Sequence, residues 1–187
     1  MSELSEVLAA FTILLPSAVC VSKFVYSKKS LPNGTELACI GCMIHAPFSF
    51  SLHMYKAMCP CGELRRTLYA MDIIGIHIWG ILTGFSWWYM HKRYKEIQFL
   101  YHLTCIVFII DNVYNVSTQP FMEKNIGIGA VLSTFPMIFS RPDLWFVSQM
   151  FWALAFWVHQ RDIFGNMTSA IMHSLLVFPQ YCILHRN

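Results

Sequence analysis

The chain has 187 residues, of which 56% are hydrophobic and only 12% are charged, and its mean hydropathy is +0.50. A water-soluble domain of this size cannot bury so much apolar surface, so the sequence predicts an integral membrane protein, with one domain over 1–187. The formal net charge of +3 is modest and the basic residues lie beside apolar runs, which argues against a nucleic-acid partner.

Seven apolar segments follow one another along the chain. Their lengths are compared here with the roughly 20 residues that a helix needs to cross the hydrocarbon core. The first lacks the basic start and small-residue cleavage site of a secretory signal, so we expect a retained helix. The segments are 4–26, 37–58, 68–90, 97–117, 125–140, 144–161 and 164–184. They predict an all-α polytopic membrane helical bundle with seven transmembrane helices.

The fifth and sixth segments are short, so a six-helix count stays open. They are separated by the sequence "SRPD" at 140–143. This is a tight turn that places Pro142 where a helix would begin, because the missing proline N–H is not needed in the first turn.

The basic residues predict the orientation of the bundle. With seven spans, five of them fall on the face that holds the N-terminus and eight on the face that holds the C-terminus. Because cytosolic loops carry an excess of Lys and Arg, we expect a lumenal or extracellular N-terminus and a cytosolic C-terminus. The membrane is then an endomembrane (ER or Golgi) or the plasma membrane.

Polar side chains gather at one depth of the predicted bundle, on the side where the chain begins. His53 lies near the end of the second span, Asp72 near the start of the third, and His173 two to three turns into the seventh. Ser49 and His53 are spaced i, i+4 and therefore share one helical face. An ionisable group at mid-membrane depth costs about 2.5–3.5 kcal/mol, so each of these residues calls for a partner or a role.

Two interpretations of this layer are open. Imidazoles, a carboxylate and a hydroxyl from separate helices resemble a metal site with its surroundings, since neutral imidazole binds zinc and a carboxylate polarises bound water. Membrane-embedded Ser, His and Asp side chains also join helices by hydrogen bonds without any catalytic role. His45, which extends the face of Ser49 and His53, is assigned to this structural role.

The same residues resemble a known family. Ser49-x-x-x-His53 at the end of a second span, Asp72 in "LYAMDIIGIH", and His173 in "TSAIMHSLL" are similar to the CREST superfamily of seven-helix membrane proteins. That superfamily includes alkaline ceramidases, the progestin and adiponectin receptors, and Per1-like lipid-remodelling proteins. The resemblance covers most of the chain by layout but only a handful of residues by motif. It implies a zinc ion held by three histidines, one from the second helix and two from the seventh.

One position departs from the family pattern. The family's seventh helix carries His-x-x-x-His, whereas here the first of that pair is Ser169, a poor zinc ligand. Only two of the three metal ligands therefore match, His53 and His173. The helix register could differ from the predicted one, or the protein could be a degenerate member without catalysis. A third possibility is a zinc site completed by another donor, with the candidates Asp72, His77, His159 or water.

The leading hypothesis is a ceramidase-like hydrolase that cleaves a lipid amide or ester bond with zinc-activated water. In this mechanism Asp72 takes the proton of the water as general base, and Ser49 stabilises the developing oxyanion. A membrane lipid is the expected partner, because a site among short-looped helices is reached from the bilayer. The alternative is a catalytically degenerate CREST-like lipid receptor or a structural membrane subunit. A transporter is less supported, since no row of charges marks a path.

Overall fold

The computed structural model describes residues 3–26, 34–59, 64–88, 95–115 and 123–185. Within these ranges the chain is helical and contains no β-strand, which confirms the predicted all-α fold. The α-helices are α1 (Glu3–Thr12), α2 (Leu14–Tyr26), α3 (Thr35–Met58), α4 (Leu64–Trp88), α5 (Lys95–Asn115), α6 (Glu123–Thr134), α7 (Pro142–Arg161), α8 (Thr168–Leu175) and α9 (Val177–Leu184). Two 3-10 turns lie at Phe135–Phe139 and Gly165–Met167.

Four helical segments of the described chain are long and apolar enough to cross a membrane. They are Glu3–Tyr26, Thr35–Met58, Leu64–Trp87 and Gly165–Leu184. The helical stretches His102–Asp111 and Ile126–Phe139 are apolar but shorter. The structure therefore supports a multi-pass membrane protein, while the count of seven spans stays a prediction.

Two prolines shape the short fifth and sixth segments. α6 ends at Thr134, and a 3-10 turn that contains Pro136 continues the chain. Proline shortens the α-helix because its ring clashes with the carbonyl of the preceding turn. α7 begins at Pro142, as the turn at 140–143 predicts.

The close packing of α3 against α4 forms the centre of the bundle. A Cβ atom at Gly41 of α3 would lie 2.9 Å from Cα of Trp79, and one at Gly75 of α4 would lie 3.2 Å from Cδ2 of His45. Glycine at these two positions lets the helix backbones approach each other, as small residues do in membrane bundles. Side chains on α3 and α4 consequently meet directly.

The two N-terminal helices connect the α3–α4 pair to the end of the chain. α1 packs against α3 and α8, and α2 packs against α3 and α9. At the second contact, the Gln180 side-chain amide lies 2.9 Å from the sulfur of Cys20. Cys20, Cys39 and Cys42 are buried free thiols in one core cluster. The first span is thus packed into the fold.

The orientation across the membrane stays a prediction. Most of the basic residues on the face expected to be cytosolic lie in 27–33, 89–94 and 186–187, outside the described residues.

We expect Gly41→Ala to destabilise the bundle by about 1–3 kcal/mol, because the added methyl group overpacks the contact with Trp79. Thermal unfolding of the purified protein in detergent measures the effect. Gly127→Ala in α6 is the matched control, since a Cβ at Gly127 meets no atom within 4 Å. A melting temperature that falls equally in both variants would contradict close packing at Gly41.

Candidate functional site

A cavity of about 110 Å³ lies inside the bundle, walled by α3, α4, α7 and α8 with contributions from Ile13 and Ile126. This volume is enough for several water molecules. Its wall includes all four residues that the sequence singles out: Ser49, His53, Asp72 and His173. The structure therefore brings these side chains from α3, α4 and α8 to the wall of one cavity, whereas their roles as a site stay predictions.

His53 and Glu6 form a short polar contact at the site. The distance from Nδ1 of His53 to Oε2 of Glu6 is 2.6 Å, and both side chains are buried. Glu6 lies on α1, which reaches this position because it packs between α3 and α8. A hydrogen bond this short is typical of a pair that carries charge.

His173 is held by the backbone of the same helix α1. Its Nδ1 lies 3.0 Å from the carbonyl oxygen of Ala9. Because a carbonyl only accepts hydrogen bonds, Nδ1 is the donor, and Nε2 of the neutral ring is then an acceptor. The rings of His53 and His173 are in edge contact, with centroids 4.8 Å apart and an interplanar angle of 79°. Two imidazoles that are distant in sequence are thus neighbours.

His45 and Asp72 join α3 to α4 beside this histidine pair. Nε2 of His45 lies 2.9 Å from Oδ1 of Asp72, and Ser49 is a further hydrogen-bonding neighbour of the same carboxylate. The ring of His45 also stacks on Trp79, with centroids 5.9 Å apart. The geometry fits the structural role expected for His45, and it fixes the position of Asp72.

The other polar residues considered as ligands are divided between two cavities. Ser169 is buried and lines the main cavity, on the helix that carries His173, and His159 also lies in its wall. His77 instead lines a separate cavity of about 20 Å³, together with Thr134. His77 is therefore not placed to complete a site with His53 and His173.

The residues present do not complete the three-histidine zinc site that the resemblance implies. Within the five described ranges, no group of three or more His, Cys, Asp or Glu side chains is arranged to hold a metal. His53 and His173 supply two imidazoles, and Ser169 stands where the family has the third. The carboxylates of Asp72 and Glu6 are each already hydrogen-bonded to a histidine.

The fold and composition define a helical, multi-pass membrane protein with a polar cluster inside its bundle. No protein-family model matches the chain, and neither does any curated protein or solved structure. Membership in the CREST superfamily therefore remains a prediction that rests on the motif residues.

Glu6 is the member of the site that the sequence analysis missed. The signal was an acidic residue within the first apolar segment, where an unpaired carboxylate is costly. Acidic residues near a helix N-terminus are also stabilised locally by the helix dipole. The sequence alone therefore does not distinguish this local effect from a contact with another helix. Only the packing of α1 against α3 shows that Glu6 meets His53.

We expect Glu6→Ala to destabilise the protein by about 1–3 kcal/mol, because the buried Nδ1 of His53 loses its acceptor. Glu6→Gln retains a carbonyl oxygen at the same position and should lose less. Thermal unfolding in detergent checks the order of the variants. Glu3→Ala removes an exposed carboxylate from the same helix and serves as the control. Equal melting temperatures for Glu6→Ala and Glu3→Ala would show that the Glu6–His53 contact contributes nothing to stability.

Proposed function

We propose that this protein is a CREST-like membrane protein that binds a membrane lipid in the cavity between α3, α4, α7 and α8. The observation that supports this proposal is the meeting of Ser49, His53, Asp72 and His173, from three helices, in the wall of one cavity. If these residues only formed hydrogen bonds between pairs of helices, they would not need to line the same cavity.

The rest of the cavity wall is suited to an amphiphile. Leu52, Ile73, Ile76, Phe156 and Met172 supply apolar surface next to the polar cluster. Binding sites for small molecules combine such a wall with a few convergent polar groups. A lipid presents the same combination, with its polar head at one end and hydrocarbon at the other, and it reaches a bundle of this kind directly from the bilayer.

We expect Met172→Trp to weaken lipid binding at least tenfold, because the larger side chain fills part of the cavity. The amount of lipid retained by the purified protein, measured by mass spectrometry, checks this result. Met71→Trp is the matched control, since Met71 lies on an exposed face of α4 and is absent from the cavity wall. Equal lipid retention by the two variants, or none in the wild type, would contradict binding in this cavity.

A second candidate function is hydrolysis of a lipid amide or ester bond, with zinc as the cofactor that the resemblance implies. The observation that favours it is the orientation of the two imidazoles. Nδ1 of His53 is held by a carboxylate and Nδ1 of His173 by a backbone carbonyl. Histidines that bind metals usually have such a partner on the nitrogen that does not face the metal.

In this second candidate the remaining residues would act on water and substrate. Asp72 would accept the proton of the attacking water, and its contact with His45 would keep the carboxylate in place. The hydroxyl of Ser49 would donate a hydrogen bond to the oxyanion that develops on the carbonyl. His53 and His173 would hold the zinc ion, and Ser169 leaves one family ligand unreplaced.

We expect Ser169→His to increase the affinity for zinc at least tenfold, because the imidazole would lie one helical turn from His173 and restore the family's third ligand. Isothermal titration of the purified protein with zinc measures the affinity. Ser174→His is the control, since it adds a histidine to α8 outside the cavity wall.

The zinc content of the wild-type protein separates the two candidates. Zinc that is present in the wild type and lost in the variant carrying both His53→Ala and His173→Ala favours hydrolysis. Zinc that is absent from the wild type, together with no gain in Ser169→His, would remove the hydrolase candidate and leave lipid binding.

A further inference from the structure

A lysine lies in the wall of the cavity between α3, α4, α7 and α8, close to the end of α3. We use the term cavity entrance for Lys56, Tyr69 and His159, three partly exposed residues of the cavity wall. The same wall is also partly exposed at Asp72, Ile76, Phe156 and Met172. Lys56 is two residues from the C-terminal end of α3 at Met58. Ser49 and His53, in the same wall, are buried.

No carboxylate neutralises Lys56 at close range in the described part of the chain. Ion pairs in the described residues join His45 to Asp72, His53 to Glu6 and Arg141 to Asp143, and none of these three pairs includes Lys56. Nζ of Lys56 lies instead 5.8 Å from the centre of the Tyr69 ring. A cation–π contact of this kind compensates only part of the loss of hydration.

Charges of both signs lie around Lys56. The carboxylates of Glu6 and Asp72 attract Lys56 electrostatically, and each is also hydrogen-bonded to a histidine. Arg65, at the start of α4, adds a second positive charge nearby. A partly desolvated ammonium group that has no ion-pair partner is stabilised by an added anion.

The position of Lys56 along α3 matches the layout of a glycerophospholipid. At a rise of about 1.5 Å per residue, Lys56 lies about 4.5 Å from His53 and about 10.5 Å from Ser49 along the helix axis. In a glycerophospholipid the ester groups lie a few bonds below the phosphate, and the acyl chains follow. A phosphate at Lys56 would therefore place the ester groups near His53 and Ser49.

We propose that Lys56 binds the phosphate of a glycerophospholipid whose acyl chains pass along the apolar part of the cavity wall and continue into the bilayer. This inference rests on the proposed lipid binding and specifies the class of lipid. Lysine suits phosphate because its ammonium group is a compact point charge. A neutral lipid with the same acyl chains lacks the anion and binds more weakly.

The test compares three probes on the purified full chain in uncharged detergent: dioleoylphosphatidylglycerol, dioleoylglycerol and glycerol 3-phosphate. The first two share their acyl chains and differ in the phosphate headgroup, and the third carries phosphate without acyl chains. We expect dioleoylphosphatidylglycerol to bind at least tenfold more tightly than dioleoylglycerol, and glycerol 3-phosphate not to compete. Native mass spectrometry or fluorescence titration measures the dissociation constants.

Substitutions at Lys56 test whether this residue causes the preference for the phosphate-bearing lipid. Lys56→Gln should remove most of the tenfold preference for the phosphate-bearing lipid, whereas Lys56→Arg should keep it because the charge remains. Lys23→Gln removes a basic residue from the last turn of α2, outside the cavity wall, and should leave the preference unchanged. Melting temperatures of the variants show that the fold is retained.

The outcomes separate this inference from the proposed function. Equal binding of the two dioleoyl lipids, or a preference that persists in Lys56→Gln, overturns the phosphate site and leaves lipid binding in place. Tight binding of glycerol 3-phosphate identifies a soluble phosphate ester as the ligand and overturns the phospholipid assignment. Failure of every lipid to bind overturns both proposals.

Discussion

The hydrogen bond between His53 and Glu6 is the interaction on which the site depends. Inside a bilayer a buried polar group has no water with which to form a hydrogen bond, so it needs a partner within the protein. Glu6 provides that partner for His53, while the carbonyl of Ala9, on the same helix, provides one for His173. Helix α1 therefore holds both imidazoles, and their ring contact follows from its position between α3 and α8.

The second half of the site relies on the close approach of α3 and α4. Glycines at positions 41 and 75 remove the side chains that would hold the two backbones apart. The imidazole of His45 then reaches Asp72 directly, and its stacking on Trp79 limits its freedom to rotate. A carboxylate positioned in this way is available to a bound ligand without a large conformational change, which is the kind of preorganisation that binding and catalysis both favour.

Binding a lipid and cleaving it place different demands on this cavity. Binding needs an apolar wall, a way in from the bilayer and a few polar groups, and the cavity has such a wall and such groups. Zinc-dependent cleavage in addition needs a full set of protein ligands, and here the chain supplies two imidazoles with Ser169 beside them. The phosphate site proposed at Lys56 concerns the choice of ligand in either case, because it lies at the cavity entrance and not at the reacting bond.

The sequence by itself determined the helical, membrane-embedded character of the protein, the start of α7 at Pro142, and the shared face of Ser49 and His53. These features depend on hydropathy, proline geometry and the i, i+4 repeat, all of which are local. Only the tertiary structure decided that Glu6 meets His53 and that His77 lies in a different cavity. Such contacts depend on which helices are neighbours and how each is rotated about its axis, and these are set by the packing of side chains far apart in the sequence.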